Sequence, residues 1–435
     1  MRGSELSRRA FIAGTGAAAA TVAACSSNGE RAEADPEATK KPPPFDPGDW
    51  DSVRAQFDLD DKVHHFAGFV LGSHPRPVRE AIAEYRKALD RNTEAALTKY
   101  AERDAEVAAA AAEYLGVAPA EVALTDSTTM GIGVVYGGLR LAPGDEILTT
   151  EHDFYSTHET LRWRAGRGGH KVHRARLYDD PAKASTDQIV SRLMAGLTPA
   201  TRVVAVTWVH SSTGVRLPIA EISAALKGKD VLLCVDGVHG FGAVDAGPPE
   251  LGCDFLMTGT HKWLYGPRGT GLVWGKGEAW AQLDPVIPPF SEQGFQAWLG
   301  GGEVDRSNPG TLFSPGGYHS FEHRWALGQA FELHQAIGRD KVTARITEQA
   351  TALKEGLAAI DGVTVITPMS PDLSAGIVCL TVDGQEVTDT LGVLLEADIV
   401  ASLTPYATPY VRLGPGIVTT PDEVDLAVST IAASV

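Results

Sequence analysis

Four cysteines in 435 residues are too few for a disulfide framework. Three of them, Cys234, Cys253 and Cys379, sit inside apolar stretches, where a buried thiol is the plain reading. Basic residues are also short. Lys and Arg number 38 against 55 Asp and Glu, a formal charge of −17, and that balance repels nucleic acid and anionic membrane surfaces at long range. The one apolar run near the N-terminus is too short and too weakly apolar to stay in a bilayer as a helix. Internal repeats are absent. With those classes removed, a small-molecule substrate or a protein partner remains.

The first 25 residues carry an export pattern. Ser7-Arg8-Arg9-Ala10-Phe11-Ile12 is a twin-arginine box ahead of an Ala/Gly-rich run. Val22-Ala23-Ala24-Cys25 is similar to a bacterial lipobox, so Cys25 is expected to be a lipid anchor, with plain cleavage near the Ala pair as the alternative. The expected location is periplasmic or otherwise extracytoplasmic, and the membrane is met only through that lipid. Residues 26–48, ending Lys41-Pro42-Pro43-Pro44, cannot build a core and read as a disordered tether.

From residue 49 the chain is long enough for one large domain, expected over 49–320, and a smaller one over 321–435. Short continuous apolar runs at Val122–Thr125, Ile147–Thr150, Val203–Val209, Val231–Val235, Phe255–Thr258 and Gly271–Trp274 alternate with helical patterns. Such runs predict strands buried on both faces, as in a mainly parallel sheet covered by helices. Beyond Phe321 two helical patterns, to Ile337 and over Lys341–Ile360, precede strand-like Val363–Ile366 and Ile377–Val382. Thr420-Pro421-Asp422-Glu423 then opens a last helix with a capping box, predicting a small α+β domain.

Two residues stand out chemically. Asp236 closes the buried strand Val231–Val235, at the strand end where parallel sheets face their ligands. Lys262 follows the next strand in the glycine-flanked loop Thr258-Gly259-Thr260-His261-Lys262-Trp263. Together they offer an amine for an aldehyde and an anion to keep a pyridine nitrogen protonated, the two groups that pyridoxal 5′-phosphate (PLP) requires.

Asp236-Gly237-Val238-His239-Gly240 and the stretch from Thr260 to Gly271 resemble the two signatures of the class V aminotransferase family, nearest to its isopenicillin N epimerase and cysteine desulfurase or selenocysteine lyase group. The resemblance runs from about Val63 to the C-terminal helix. It implies the aspartate-aminotransferase fold (PLP fold type I), PLP as a Schiff base on Lys262, and Asp236 on the ring nitrogen. Ser127, Thr128 and Thr129, with Thr260 and His261, are then cofactor-binding residues, and the first three sit at a helix start suited to a phosphate. In Glu151-His152-Asp153-Phe154, His152 is the first candidate for stacking on the ring and Phe154 the second. Ser211 and His239 fall at positions that contact the phenolic oxygen. Gly310-Thr311 resembles the pair that reaches the neighbouring subunit's phosphate, which implies a homodimer. Arg412, in Val411-Arg412-Leu413, resembles the arginine that grips a substrate carboxylate through its planar fork.

Cysteine desulfurases of this group need a nucleophilic cysteine shortly before that arginine, and Leu380 to Val411 contains none. Epimerase-like or transaminase-like action at Cα of an amino acid therefore ranks first, with C–S or C–Se β-lysis as the alternative. Two other classes compete. His319-Ser320-Phe321-Glu322-His323 satisfies an inverted zinc-peptidase pattern, H-x-x-E-H, so a secreted zinc peptidase is a distant rival. Gly131, Gly133 and Gly137 miss the dinucleotide spacing by one position. A non-catalytic binding protein on the same scaffold would have no use for Lys262 beside Asp236.

Overall fold

The computed structural model describes residues 44–435. The twin-arginine box, Cys25 and most of the tether lie outside the described residues. Seven strands make the central sheet: β1 (Val122–Thr125), β2 (Glu146–Thr150), β3 (Lys171–Ala175), β4 (Thr201–Thr207), β5 (Leu232–Asp236), β6 (Phe255–Gly259) and β7 (Gly271–Gly275), in the order β1-β7-β6-β5-β4-β2-β3. Only β7 runs against its neighbours.

The apolar runs form strands because both of their faces are covered. Along β4, Val203 and Ala205 enter one core cluster while Val204 and Val206 enter the other. In β5, Cys234 faces the first and Val235 the second. This is the period-two alternation of a strand, with apolar partners on both sides. Strand β3, Lys-Val-His-Arg-Ala, was not legible as a strand, because it lies at the sheet edge and is largely open to solvent.

Helices α1 (Arg76–Arg91), α2 (Arg103–Leu115) and α3 (Thr128–Gly138) precede or interleave with the strands. The single helix expected up to Ile337 is two pieces, Phe321–Trp325 and α4 (Leu327–Ile337), broken at Ala326. Helix α5 (Arg339–Ala358) packs with α6 (Pro421–Ala432), whose N-terminus has the expected capping box between Thr420 and Glu423. Beside them lies an antiparallel sheet of β8 (Val363–Val365), β9 (Val378–Val382), β10 (Ser402–Leu403) and β11 (Val411–Leu413), ordered β10-β11-β9-β8.

An early segment crosses to this smaller body. His64–His65 pairs with Ile399–Val400, and Phe66 is buried in the small core. The chain then returns to the large sheet, where the Gly72 N–H donates to the His261 carbonyl at 2.8 Å. Residues 66–72 are thereby drawn past the carboxyl ends of the strands, the edge where open α/β sheets bind ligands.

Candidate active site

A cavity of about 250 Å³ opens at that edge. Asp236 and Lys262, from the ends of β5 and β6, both line it. Asp236 is buried, and its Oδ1 accepts from the Val238 N–H at 3.1 Å. Burial raises its carboxyl to about 7, against the opposing pull of the Val238 bond and the Lys262 charge. Burial likewise brings the Lys262 amine down to about 8, with the Asp236 charge holding it up and Arg412 pressing it down. Its Nζ lies 3.3 Å from His239 Nε2. Burial and the Lys262 charge force His239 well below its usual value, so the ring is neutral. A neutral imidazole that accepts on Nε2 carries its proton on Nδ1. That buried Nδ1 has no partner within the protein, and in this tautomer it would offer its N–H to an oxygen in the cavity.

Ser127 caps α3, its Oγ accepting from the Met130 N–H at 3.1 Å. This fixes the helix start at the cavity wall, with Thr128 and Thr129 beside it. Thr128 Oγ1 and His261 Nδ1 are both buried without a partner. Gly259 permits their approach: a Cβ there would sit 3.0 Å from Thr128 Oγ1 and 3.0 Å from the His261 ring. Unsatisfied buried polar atoms are costly. One at the start of α3 and the other on the loop after β6, these two make a cradle that fits a phosphate. Three residues after Lys262, Tyr265 holds φ 56°, a left-handed conformation rarely taken by an aromatic residue.

Arg412, on β11, reaches the cavity from the small sheet. Its Nε donates to Ser402 Oγ at 3.2 Å, one terminal nitrogen to the Ser211 carbonyl at 3.1 Å and the other to the Leu403 carbonyl at 3.0 Å. Three of its five N–H groups are thus used, which leaves one on each terminal nitrogen, as a bidentate carboxylate needs. The guanidinium also lies 5.0 Å from the Phe69 ring centroid. Ser211 lines the cavity, and its hydroxyl is paired at 2.8 Å with Tyr406.

Three expected residues stand elsewhere. His152 is not on the cavity wall: its ring stacks on Tyr178 at 3.9 Å, and Phe154 lines the cavity in its place. Buried Asp153 sets that turn by accepting from Thr149 Oγ1 and from the Thr150 and Thr207 N–H groups, each at 2.7 Å. Thr260 is buried away from the cavity, its hydroxyl engaged with Thr270. Thr311 lies in a separate surface groove with Tyr100, Phe290 and Arg324, outside this chain's own cavity. The zinc pattern also dissolves. His319 Nε2 is 3.1 Å from the Pro315 carbonyl oxygen and its Nδ1 lies 3.3 Å from Asp126, and no His/Cys/Asp/Glu group among the described residues is arranged to hold a metal.

The sequence reading missed Phe69 and Val70, which the crossing segment delivers, and Ser156, Thr207, Val238 and Pro405 on the cavity wall. Asp153 and Tyr406, which support that wall, were missed as well. For Asp153 the signal was present, an acid three residues after a buried strand. For Phe69 and Val70 none existed, because only the long-range pairing of His64–His65 brings them there.

A family model described as Aminotransferase class-V matches residues 73–403. The chain is 26% identical to an isopenicillin N epimerase of Streptomyces clavuligerus over 87% of its own length and 96% of that protein. It is 29% identical to a probable cysteine desulfurase of Xylella fastidiosa, covering 83% of this chain and 87% of that one. Among solved structures, a C-DES mutant with glycine covalently linked to the PLP cofactor superposes with a TM-score of 0.77 at 24% identity, over 87% of this chain and 98% of that one.

Proposed function

The chain belongs to the class V aminotransferase family of PLP-dependent enzymes, and from that premise we propose that it acts at Cα of an amino acid, in an epimerase-like or transaminase-like reaction. The observation that carries this reading is the meeting of Lys262, Asp236 and Arg412 in one buried cavity. The cofactor is PLP. Lys262 would hold its aldehyde, Asp236 its ring nitrogen, His239 and Ser211 its phenolic oxygen, and Ser127, Thr128, Thr129 and His261 its phosphate, with Phe154 against the ring. When bound, PLP supplies an electron sink for the bond broken at Cα.

The protein's own residues do the rest. Arg412 takes the substrate carboxylate on its two free N–H groups and so fixes which Cα bond points at the lysine. Lys262, freed from the cofactor when the substrate amine takes its place, is the group positioned to take the Cα proton and return it, and burial favours its neutral amine. His239 holds that amine in place through its Nε2. Burial of Asp236 and Lys262 keeps water from competing for the proton.

Cleavage of a C–S or C–Se bond is the second reading, supported by similarity to proteins named cysteine desulfurase. It shares proton removal at Cα and differs in the group that leaves. A persulfide route would need a thiol at the cavity. Among the described residues Cys234, Cys253 and Cys379 are all buried and none lines it. Burial also pushes the Cys379 thiol up to about 12.

The assembly in this reading is a homodimer, with Thr311 serving the partner's site. Exposed Phe290, Trp298 and Tyr318, at 71%, 71% and 83%, support an interface near that groove. A substrate panel decides the reaction: solvent deuterium entering Cα with loss of chirality marks epimerisation, a keto acid with an amine acceptor marks transamination, and sulfide or selenide release marks the lyase.

A further inference from the structure

Ser211 sits on a turn whose backbone is pinned on both sides. The buried Tyr178 hydroxyl lies 2.8 Å from His210 Nδ1 and 2.8 Å from Thr213 Oγ1, and the Ser211 carbonyl accepts from Arg412 at 3.1 Å. The serine hydroxyl meets that of Tyr406 at 2.8 Å. Tyr406 comes from the stretch between β10 and β11 in the small body, so this bond joins the two bodies beside the cavity that Ser211 lines. Each hydroxyl has one proton, so one of the pair donates to the other and the second keeps its proton for another acceptor. Burial holds the Tyr406 phenol well above its ordinary range, so it stays protonated. Arg412, whose charge reaches it, offers no acceptor. The phenol is the more acidic of the two hydroxyls and the better donor, which leaves the Ser211 proton free.

Resting on the assignment of Ser211 to the phenolic oxygen of PLP under Proposed function, we propose that Tyr406 is a positioning residue, which donates to Ser211 and so commits the serine's only proton to that oxygen. The Schiff-base nitrogen on Lys262 shares its proton with the same oxygen. A donor on the oxygen draws off negative charge and loosens the hold on that proton, so it leaves at lower pH. Without the Tyr406 hydroxyl, Ser211 can turn its proton to another acceptor, and the bond it makes loses the strengthening that a hydrogen-bonded chain gives. The nitrogen then keeps its proton to higher pH.

The test follows the absorbance of the PLP-loaded protein against pH and reads the midpoint at which the Schiff base loses its proton, in the unaltered chain, Tyr406→Phe, Ser211→Ala and the double variant. Tyr406→Phe removes the hydroxyl and keeps the ring that meets Phe154 edge-on at 6.1 Å. Asp153, Asp236, His239, His261 and Arg412 are the other titratable or charged groups around Lys262 and Tyr406. They are common to all four proteins, as is anything a partner subunit supplies, so differences between midpoints report the two hydroxyls. The inference predicts that Ser211→Ala raises the midpoint by about 0.4–1 pH unit, the span of an ordinary hydrogen bond. Tyr406→Phe should raise it part of the way, and the double variant should match Ser211→Ala. An unmoved midpoint in Tyr406→Phe overturns the inference and leaves the assignment of Ser211 standing. A Tyr406→Phe shift that persists once Ser211 is gone overturns it too, since Tyr406 would then act without the serine. If Ser211→Ala itself leaves the midpoint unmoved, the assignment of Ser211 fails and the inference with it, while Lys262 keeps its role.

Discussion

Cofactor capture by the PLP-free protein should rise with pH and level off shortly above 8, because only the neutral amine of Lys262 can attack an aldehyde. Burial brings that amine from 10.5 to about 8. At pH 7.5 an amine of pKa 8 is about one quarter neutral and one of pKa 10.5 about 0.1%, so the site holds roughly 200-fold more reactive amine than an ordinary lysine would. The two neighbouring charges give the sign of two variants. Asp236→Asn removes the anion that favours the ammonium form, and the midpoint should fall below 8. Arg412→Gln removes a cation that opposes it, and the midpoint should rise. The assay is stopped-flow absorbance after mixing PLP with PLP-free protein from pH 6 to 10.5. A rate still climbing at pH 10, or a midpoint that neither variant moves, would refute the electrostatic account of the lysine.

Asp236→Ala should weaken PLP binding by about 1.5–3 kcal/mol, the worth of one charge-assisted hydrogen bond, and lower turnover further; a fluorescence titration with a turnover assay checks this, and near wild-type turnover would place the ring nitrogen elsewhere. Arg412→Lys should weaken amino acids far more than simple amines, because an ammonium cannot reproduce two parallel bonds. The same change should lower the melting temperature, since Arg412 also ties Ser211 and Leu403; equal losses for amines and amino acids would remove it from the substrate site. The lipid anchor expected at Cys25 predicts that Cys25→Ser releases the protein from membranes, and unchanged fractionation would contradict that expectation.

Much of the site could be read because it is local. Asp236 ends a continuous apolar run and Lys262 follows another within a glycine-flanked loop, so both fall at the same sheet edge once the sheet is parallel. Arg412 was read only through the family resemblance of Val411-Arg412-Leu413. What escaped depends on chain crossings and side-chain competition. The return of residues 66–72 from the small body brings in Phe69 and Val70, and no local pattern encodes that path. His152 was ranked ahead of Phe154 for the ring, but the Asp153 carboxylate turns the loop so that the imidazole meets Tyr178 instead. Thr260 sits between two cavity-facing segments yet points its hydroxyl at Thr270. The His319–His323 pattern failed for a similar reason, since His319 already has Asp126 and a carbonyl as partners.

The central claim is that Lys262 carries the cofactor. Borohydride reduction of the PLP-loaded protein followed by peptide mapping tests it most directly. The account predicts a phosphopyridoxyl group on the peptide containing Thr260-His261-Lys262-Trp263, and no stable label in Lys262→Ala. Reduced cofactor recovered on another lysine, or stable labelling that survives Lys262→Ala, would contradict it.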